Sequence, residues 1–178
     1  RHPRAIAILQ SALEQGRRPE LEDALGMAYM KAGRFKQALA LLEDAYKRQP
    51  GATPIGTSLA ALYLQLGQPA KALKVAEQLN KDRKDQPGLQ FLLGRARLEA
   101  GDLKGARVAL ESAAKADARF LDPQLELAKI DLRSGALAAA ESRLSAAVQR
   151  DPKHPDLLSL LGQTLAGMKR YDEAQRWL

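Results

Sequence analysis

One spacing constrains this sequence more than any other feature: a leucine followed by glycine or alanine recurs every 34 residues. The leucines of the five pairs are Leu25, Leu59, Leu93, Leu127 and Leu161. Twelve places after the second member of each pair stands an alanine, and these are Ala38, Ala72, Ala106, Ala140 and Ala174. A fixed period of this length is typical of solenoids, in which each supersecondary unit stacks on its neighbours. The sequence therefore predicts a repeat array.

Each repeat is predicted to contain two amphipathic helices. Apolar residues recur at three- and four-residue spacing in both halves of the repeat, as a helix with one buried face requires. The halves are separated by Gly33, Gly67, Gly101 and Gly135, with Lys169 at this place in the fifth repeat. Glycine readily takes the left-handed conformation that ends many helices. The apolar residues are mostly alanine and leucine, which favour helix, and β-branched residues are too sparse for a sheet.

Small residues inside the predicted helices indicate close packing. The glycines of three pairs, Gly26, Gly94 and Gly162, fall in mid-helix, where glycine costs about 1 kcal/mol relative to alanine. We expect another helix backbone to approach closely at these positions. Four places beyond the recurring alanines stand Leu42, Ala76, Leu110, Leu144 and Leu178, which continue the predicted apolar face.

The pattern resembles the tetratricopeptide repeat (TPR), whose signature is a 34-residue helix–turn–helix period. The matching residues of the first full repeat are Leu25, Gly26, Tyr29, Gly33, Phe35, Ala38, Leu42, Ala45 and Pro50. The resemblance implies an all-α, right-handed superhelical solenoid of antiparallel helix pairs. Where the family often has Trp, the sequence has Glu22, Gly56, Gln90, Gln124 and Leu158. Where the family has Tyr, the later repeats have Arg97, Asp131 and Leu165.

The repeat register also predicts the domain organisation. Full repeats are expected at 19–52, 53–86, 87–120 and 121–154, followed by a truncated repeat at 155–178. Residues 1–18 fit the second helix of a preceding repeat. Because natural arrays normally end in polar capping helices, we expect a fragment with uncapped, apolar ends through which it could self-associate.

The resemblance implies a binding surface, since the first helices of successive TPRs line a concave groove. The first full repeat places Met27, Met30 and Lys31 there. The third and fourth place Phe91, Arg95, Leu98, Leu125, Lys129, Leu132 and Arg133 there. This mixed apolar and basic stripe suits a peptide or protein with apolar anchors and acidic residues. The alternative is that the apolar residues pack within the array and the basic ones are only solvated.

Charged residues in two equivalent positions of neighbouring repeats suggest a specific contact. Arg97 and Asp131 stand where the family has a large apolar residue, and a buried charge there requires a partner. We predict that they meet, directly or through Glu99 or Lys129. The alternative is that each side chain extends to solvent.

No catalytic, cofactor or metal-binding signature is present. The sequence lacks phosphate-binding loops, dinucleotide fingerprints, and metalloprotease and hydrolase motifs, and it has no Cys and only two His. The carboxylate clamp of chaperone-binding TPR domains needs two Asn, and Asn80 is the only one. Net charge is +7, but aromatic residues do not interleave with the basic ones, so nucleic acid is not the expected partner. No apolar run is long enough to span a membrane.

These observations favour a non-enzymatic scaffold that binds a protein or peptide. A second resemblance adds an alternative: residues 120–135 are similar to long repeat lipoproteins that accompany exosortase and exopolysaccharide loci. It implies a component of a bacterial cell-envelope system for polysaccharide or protein export, placed in the periplasm or at the outer membrane. A third hypothesis is a substrate-recruiting repeat region of a larger enzyme.

Overall fold

Helices account for all the regular secondary structure in the computed structural model, which describes residues 2–81 and 83–177. The first six are α1 (His2–Gln15), α2 (Pro19–Lys31), α3 (Phe35–Arg48), α4 (Thr53–Gln65), α5 (Pro69–Asn80) and α6 (Pro87–Glu99). The other five are α7 (Leu103–Ala116), α8 (Asp122–Arg133), α9 (Leu137–Arg150), α10 (Pro155–Gly167) and α11 (Tyr171–Ala174). The all-α prediction is therefore confirmed. Within the same described ranges, no helix is long and apolar enough to cross a membrane.

Helix contacts divide the chain into two compact units. The first unit lies within residues 1–84 and 96–101, and the second lies within 85–95 and 102–178. In the first unit α2 packs against α3, α4 against α5, and α2 against α4. In the second unit α8 packs against α9 and α10, and α10 packs against α9 and α11.

The first helices of the repeats end in the left-handed turns that the glycine pattern predicts. Gly33, Gly67, Gly101 and Gly135 have φ angles of 70°, 67°, 85° and 75°. At the end of α2 the Gly33 amide donates to the Met30 carbonyl at 3.0 Å, and the Arg34 amide donates to the Tyr29 carbonyl at 2.9 Å. This pair of hydrogen bonds is the Schellman motif, which satisfies carbonyls that the helix leaves free. The predicted role of the recurring glycine is confirmed.

Lys169 adopts the same conformation at the end of α10 without the freedom of glycine. Its φ is 63°, and the Arg170 amide donates to the Leu165 carbonyl at 2.9 Å as in the glycine turns. A left-handed conformation costs a residue with a Cβ roughly 1–2 kcal/mol.

We expect Lys169→Gly to raise the free energy of unfolding by about 0.5–1 kcal/mol, because relief of this strain exceeds the extra chain entropy that glycine loses. Urea denaturation followed by circular dichroism would measure the change. The reciprocal variant Gly135→Lys should lower stability by roughly 1 kcal/mol. Equal stability of Lys169→Gly and the wild type would show that the turn stores no strain.

The mid-helix glycines make room for leucine side chains of the neighbouring helix. A Cβ at Gly26 would lie 2.7 Å from the Cδ2 atom of Leu42, and one at Gly94 would lie 2.7 Å from the Cγ atom of Leu110. The nearest neighbours are thus leucine side chains, and at Gly94 the predicted approach of a backbone is also present, since the Ala106 carbonyl oxygen would lie 3.4 Å from the Cβ. Gly162 is buried as well, but Leu178, the fifth residue of the Leu42 series, lies outside the described residues.

The recurring alanines form the innermost layer of both units. Ala38, Ala72, Ala106 and Ala140 are all 0% exposed, and Ala174 is 3% exposed. Around Ala174 the second unit gathers a core of larger aliphatic residues that includes Leu144, Leu157, Leu161 and Leu165. A methyl group is the largest side chain that a closely packed helix pair can hold at such a position, because larger ones would force the helices apart.

Candidate functional site

The surface of first helices offers exposed apolar and basic groups in the first unit. α2 and α4 lie side by side there. Met27 is 43% exposed, which is unusual for a large apolar side chain, and Lys31 is exposed beside it. Met30 and Leu98 are half-buried. Of the predicted binding residues in this unit, Met27 and Lys31 are thus the ones most accessible to a partner.

In the second unit the predicted residues separate into surface and core. Arg95 and Arg133 are exposed, and Lys129, Phe91 and Leu132 are half-buried. Leu125 has a different place, since it is 6% exposed and belongs to the core cluster of α8, α9 and α10. Leu125 therefore contributes to packing within the array.

On this surface, Phe91 contacts a second aromatic ring and a guanidinium group. The ring centroids of Phe91 and Phe120 are 5.0 Å apart in an edge-to-face arrangement. The guanidinium carbon of Arg95 lies 6.0 Å from the Phe91 ring centroid, within the range of a cation–π contact. Lys129 instead pairs with Glu126 at 2.8 Å on its own helix. The guanidinium of Arg95 is thus held beside an apolar surface and still faces solvent.

The charged residues Arg97 and Asp131, which stand at equivalent repeat positions, both lie near groups of opposite charge. Asp131 is 1% exposed, and its carboxylate lies 2.7 Å from Nη2 of Arg107 on α7 and 3.2 Å from Nε of Arg143 on α9. Arg97 approaches Glu77 at 4.0 Å. Long arginine side chains from the second helices reach the buried carboxylate, and a contact between Asp131 and Arg97 stays a prediction. The buried Asp131 carboxylate thus has positively charged partners, as a buried charge requires.

A second buried carboxylate, which the sequence analysis did not single out as a site, stands in the Trp position of the first full repeat. Glu22 is 2% exposed and accepts a hydrogen bond from Nη2 of Arg48 at 2.6 Å. Arg48 also contacts Asp44, and the hydrogen bond from Arg17 lowers the pKa of the Asp44 carboxyl below its usual value. The hydrogen bond to Glu22 raises the pKa of the Arg48 guanidinium. This network joins α2 to α3 and is structural in character.

The sequence analysis also missed a cleft on the side of the second helices. It has a volume of about 590 Å³ and lies between α3, α4 and α5 in the first unit. Its lining residues are Glu43, Tyr46, Lys47, Pro50, Leu59, Tyr63, Lys71, Lys74, Val75 and Gln78. The only hint in the sequence is that Lys71 and Lys74 fall on one face of a predicted helix, and similar spacings occur on ordinary solvated surfaces.

Comparison with known proteins settles the family. A family model described as "Tetratricopeptide repeat" matches residues 29–96 and 131–178, and a second model of the same description matches 87–112. The chain belongs to the tetratricopeptide repeat family. Its all-helical structure agrees with this assignment, and the turn glycines occupy the places that the family pattern gives them.

Similar proteins extend the comparison. "Cellulose synthase operon protein C" of Pseudomonas fluorescens (strain SBW25) is 25% identical over 165 residues, which cover 87% of this chain and 13% of that protein. The chain thus spans a small part of this curated relative's length. A thermophilic TPR protein of Thermus thermophilus has a TM-score of 0.74 at 24% identity, covering 90% of this chain and 88% of that one. YrrB, described as a TPR protein with an unusual peptide-binding site, has a TM-score of 0.69 at 18% identity, covering 95% and 88%.

Proposed function

We propose that this chain is a protein-interaction scaffold whose first helices bind a peptide segment that is acidic and carries apolar anchors. The observation that carries the proposal is the exposed guanidinium of Arg95 beside the half-buried Phe91 ring. TPR proteins bind peptides or proteins, and the description of YrrB as having a peptide-binding site supports this class of partner. The binding residues are Met27, Met30, Lys31, Phe91, Arg95, Leu98, Lys129, Leu132 and Arg133, with Leu125 supporting them from the core.

The charges and the apolar groups have different parts in this binding. Burying a peptide's apolar side chain against Phe91 or Leu132 supplies affinity at roughly 25 cal/mol per Å². The cations Arg95 and Arg133 select acidic segments and raise the association rate. The pairing of Lys129 with Glu126 leaves the two arginines as the stronger attraction for an anion.

We expect the double charge reversal Arg95→Glu/Lys129→Glu to weaken peptide binding at least about tenfold, since like charges would then face each other. Peptides selected from a random displayed library on the wild-type chain are the probe, and fluorescence anisotropy measures their affinities. The selected peptides are expected to be acidic and to contain aliphatic or aromatic residues.

The matched control reverses Lys104→Glu/Lys115→Glu, two exposed lysines on α7, a second helix. It changes net charge by the same amount and should leave affinity within about twofold. Circular dichroism should show the same helicity in both variants. Selected peptides that bind the Arg95→Glu/Lys129→Glu variant as tightly as the wild type would refute this surface as the binding site.

The similarity to cellulose synthase operon protein C favours a second candidate function. In it, the chain belongs to a bacterial cell-envelope system that exports an exopolysaccharide, and it works in the periplasm or at the outer membrane. Its repeats would then hold another protein component of that system. Deletion of the gene should lower secreted polysaccharide, measured by dye binding to colonies, and an unchanged yield would refute this candidate.

A further inference from the structure

The cleft between α3, α4 and α5 has an apolar floor and a cationic rim. Leu59, Val75 and the ring of Tyr63 supply apolar surface, and the rim includes Lys71 and Lys74. With Lys47, three lysines line the cleft against one carboxylate, that of Glu43. A volume of about 590 Å³ lies within the range of natural ligand sites. The three lysines lie on the second helices α3 and α5, and none of the lining residues belongs to the proposed peptide site on the first helices.

The one carboxylate of the cleft is already engaged. The Tyr63 hydroxyl donates to Oε1 of Glu43 at 2.6 Å, and Nζ of Lys71 lies 5.3 Å from the centroid of the Tyr63 ring. Burial and then the hydrogen bond to Glu43 raise the pKa of Tyr63 above its usual value, so this phenol remains a donor. Lys47, Lys71 and Lys74 form no ion pair with any carboxylate among residues 2–81 and 83–177. The cleft thus keeps an excess of positive charge available to an anion.

One polar atom in the cleft lacks the partner that its burial demands. The hydroxyl oxygen of Tyr46 is shielded from solvent and has no hydrogen-bond partner within the described parts of the chain. Its ring fits closely against α4 because Gly56 has no side chain, and a Cβ there would lie 3.0 Å from Cε2 of Tyr46. Burial also raises the pKa of Tyr46, which keeps the hydroxyl protonated. A buried hydroxyl without a partner is costly, and such a group at a cleft is suited to a ligand acceptor.

We propose that this cleft is a second peptide-binding site, which takes one apolar side chain of an acidic segment of a partner protein. The side chain lies against Leu59 and Val75, the acidic residues that flank it pair with Lys71 and Lys74, and the Tyr46 hydroxyl donates to a peptide carbonyl or carboxylate. The charge excess selects an acidic segment over a basic one. The apolar floor distinguishes a segment with an anchor from a uniformly acidic one.

The test uses two fluorescein-labelled nine-residue peptides, one with a central leucine between acidic residues and one with glycine in its place. Fluorescence anisotropy with the whole chain is expected to give at least about tenfold tighter binding for the leucine peptide. Lys71→Glu/Lys74→Glu should weaken binding of the leucine peptide at least about tenfold. Gln78→Trp places an indole at an exposed position of the lining and should block the cleft to a similar degree.

Tyr46→Phe separates a binding role from a structural one. The change removes a hydroxyl without a hydrogen bond in the free chain, so thermal stability should stay the same or rise. Binding of the leucine peptide should nevertheless fall about three- to tenfold. Loss of stability in Tyr46→Phe together with unchanged binding would overturn the role of this hydroxyl in the site.

A further variant distinguishes binding in the cleft from binding on the first-helix surface. Because the first-helix surface is also proposed to bind acidic peptides, Arg95→Glu/Lys129→Glu serves as the background: the leucine peptide should still bind to this variant, and adding Lys71→Glu/Lys74→Glu should weaken that binding at least about tenfold. Loss of binding in the Arg95→Glu/Lys129→Glu background, with Lys71→Glu/Lys74→Glu alone unaffected, would place the probe on the first helices and overturn the cleft proposal. Equal binding of the leucine and glycine peptides, or no saturation below about 1 mM, would overturn it as well.

Discussion

Replacement of Asp131 by alanine is expected to lower the free energy of unfolding by about 3 kcal/mol. The carboxylate is 1% exposed and lies between the guanidinium groups of Arg107 and Arg143, which are 34% and 22% exposed. Removing one partner of a buried ion pair leaves the other charges poorly solvated, and this costs about 3–5 kcal/mol. The lower end applies because both arginines reach water. Urea denaturation followed by far-ultraviolet circular dichroism measures the loss.

The position of Asp131 in its helix helps to assign the expected loss of stability to its ion pairs. It lies in the last turn of α8, where the helix dipole disfavours a negative charge. Its removal should therefore gain a few tenths of a kcal/mol from the helix itself, so a large net loss has to come from the two arginines. The exposed acid Glu111 on α7 is the control, and Glu111→Ala should change stability by less than about 0.5 kcal/mol.

A triple variant tests the interpretation from the opposite direction. Arg107→Met/Asp131→Leu/Arg143→Met removes all three charges and fills the space with apolar groups. Such replacements are often neutral or stabilising, so most of the loss of about 3 kcal/mol should return. If Asp131→Ala alone is within about 0.5 kcal/mol of the wild type, the three groups are effectively solvated and the ion network contributes nothing to stability.

The sequence predicted the helices and their ends well, and the reason is physical. A first helix must end where its register places Gly33, because the chain turns there through a left-handed residue. Even the exception at Lys169 kept the same turn, because the repeat geometry over-determines the conformation there. Apolar spacing and turn residues are local properties, and a local property can be read from a linear sequence.

The side-chain partners could not be predicted in the same way. Arg97 and Asp131 stand in equivalent repeat positions, and the sequence alone suggested a pair between neighbouring repeats. Two partners of Asp131 that the sequence did not suggest come from α7 and α9, because an arginine side chain spans several ångströms and can approach from any adjacent helix. Leu125 was likewise assigned to the binding surface from its position in the repeat. Its place in the core depends on how α8 packs against its neighbours, which the repeat position does not show. The cleft between α3, α4 and α5 depends on how these three helices pack together, which the spacing of residues in the sequence does not reveal.

The second large effect concerns the leucine that fills the space over Gly26. Leu42 is 0% exposed, and Leu42→Ala is expected to cost about 2–5 kcal/mol through lost burial and a cavity. Gly26→Ala forces a Cβ to within 2.7 Å of Cδ2 of Leu42, and this overpacking should cost roughly 1–3 kcal/mol. The higher helix propensity of alanine should offset up to about 1 kcal/mol of that cost. Chemical denaturation of each variant measures both losses.

The control for Gly26→Ala is a helical glycine with open space. Gly88 lies in α6, and a Cβ there would meet nothing within 4 Å. Gly88→Ala should therefore stabilise the chain by up to about 1 kcal/mol through helix propensity alone. Opposite signs for Gly26→Ala and Gly88→Ala would isolate the contribution of the neighbouring leucine.

Combining Gly26→Ala with Leu42→Ala should cost less than the sum of the two single changes. The next repeat already carries alanines at both equivalent positions, Ala60 and Ala76, and each is 0% exposed. In the double variant the new methyl group occupies part of the space that the leucine leaves, so we expect a favourable coupling of about 1–2 kcal/mol. A double-mutant cycle by urea denaturation gives this value directly. Strict additivity would mean that Gly26 does not serve to admit Leu42.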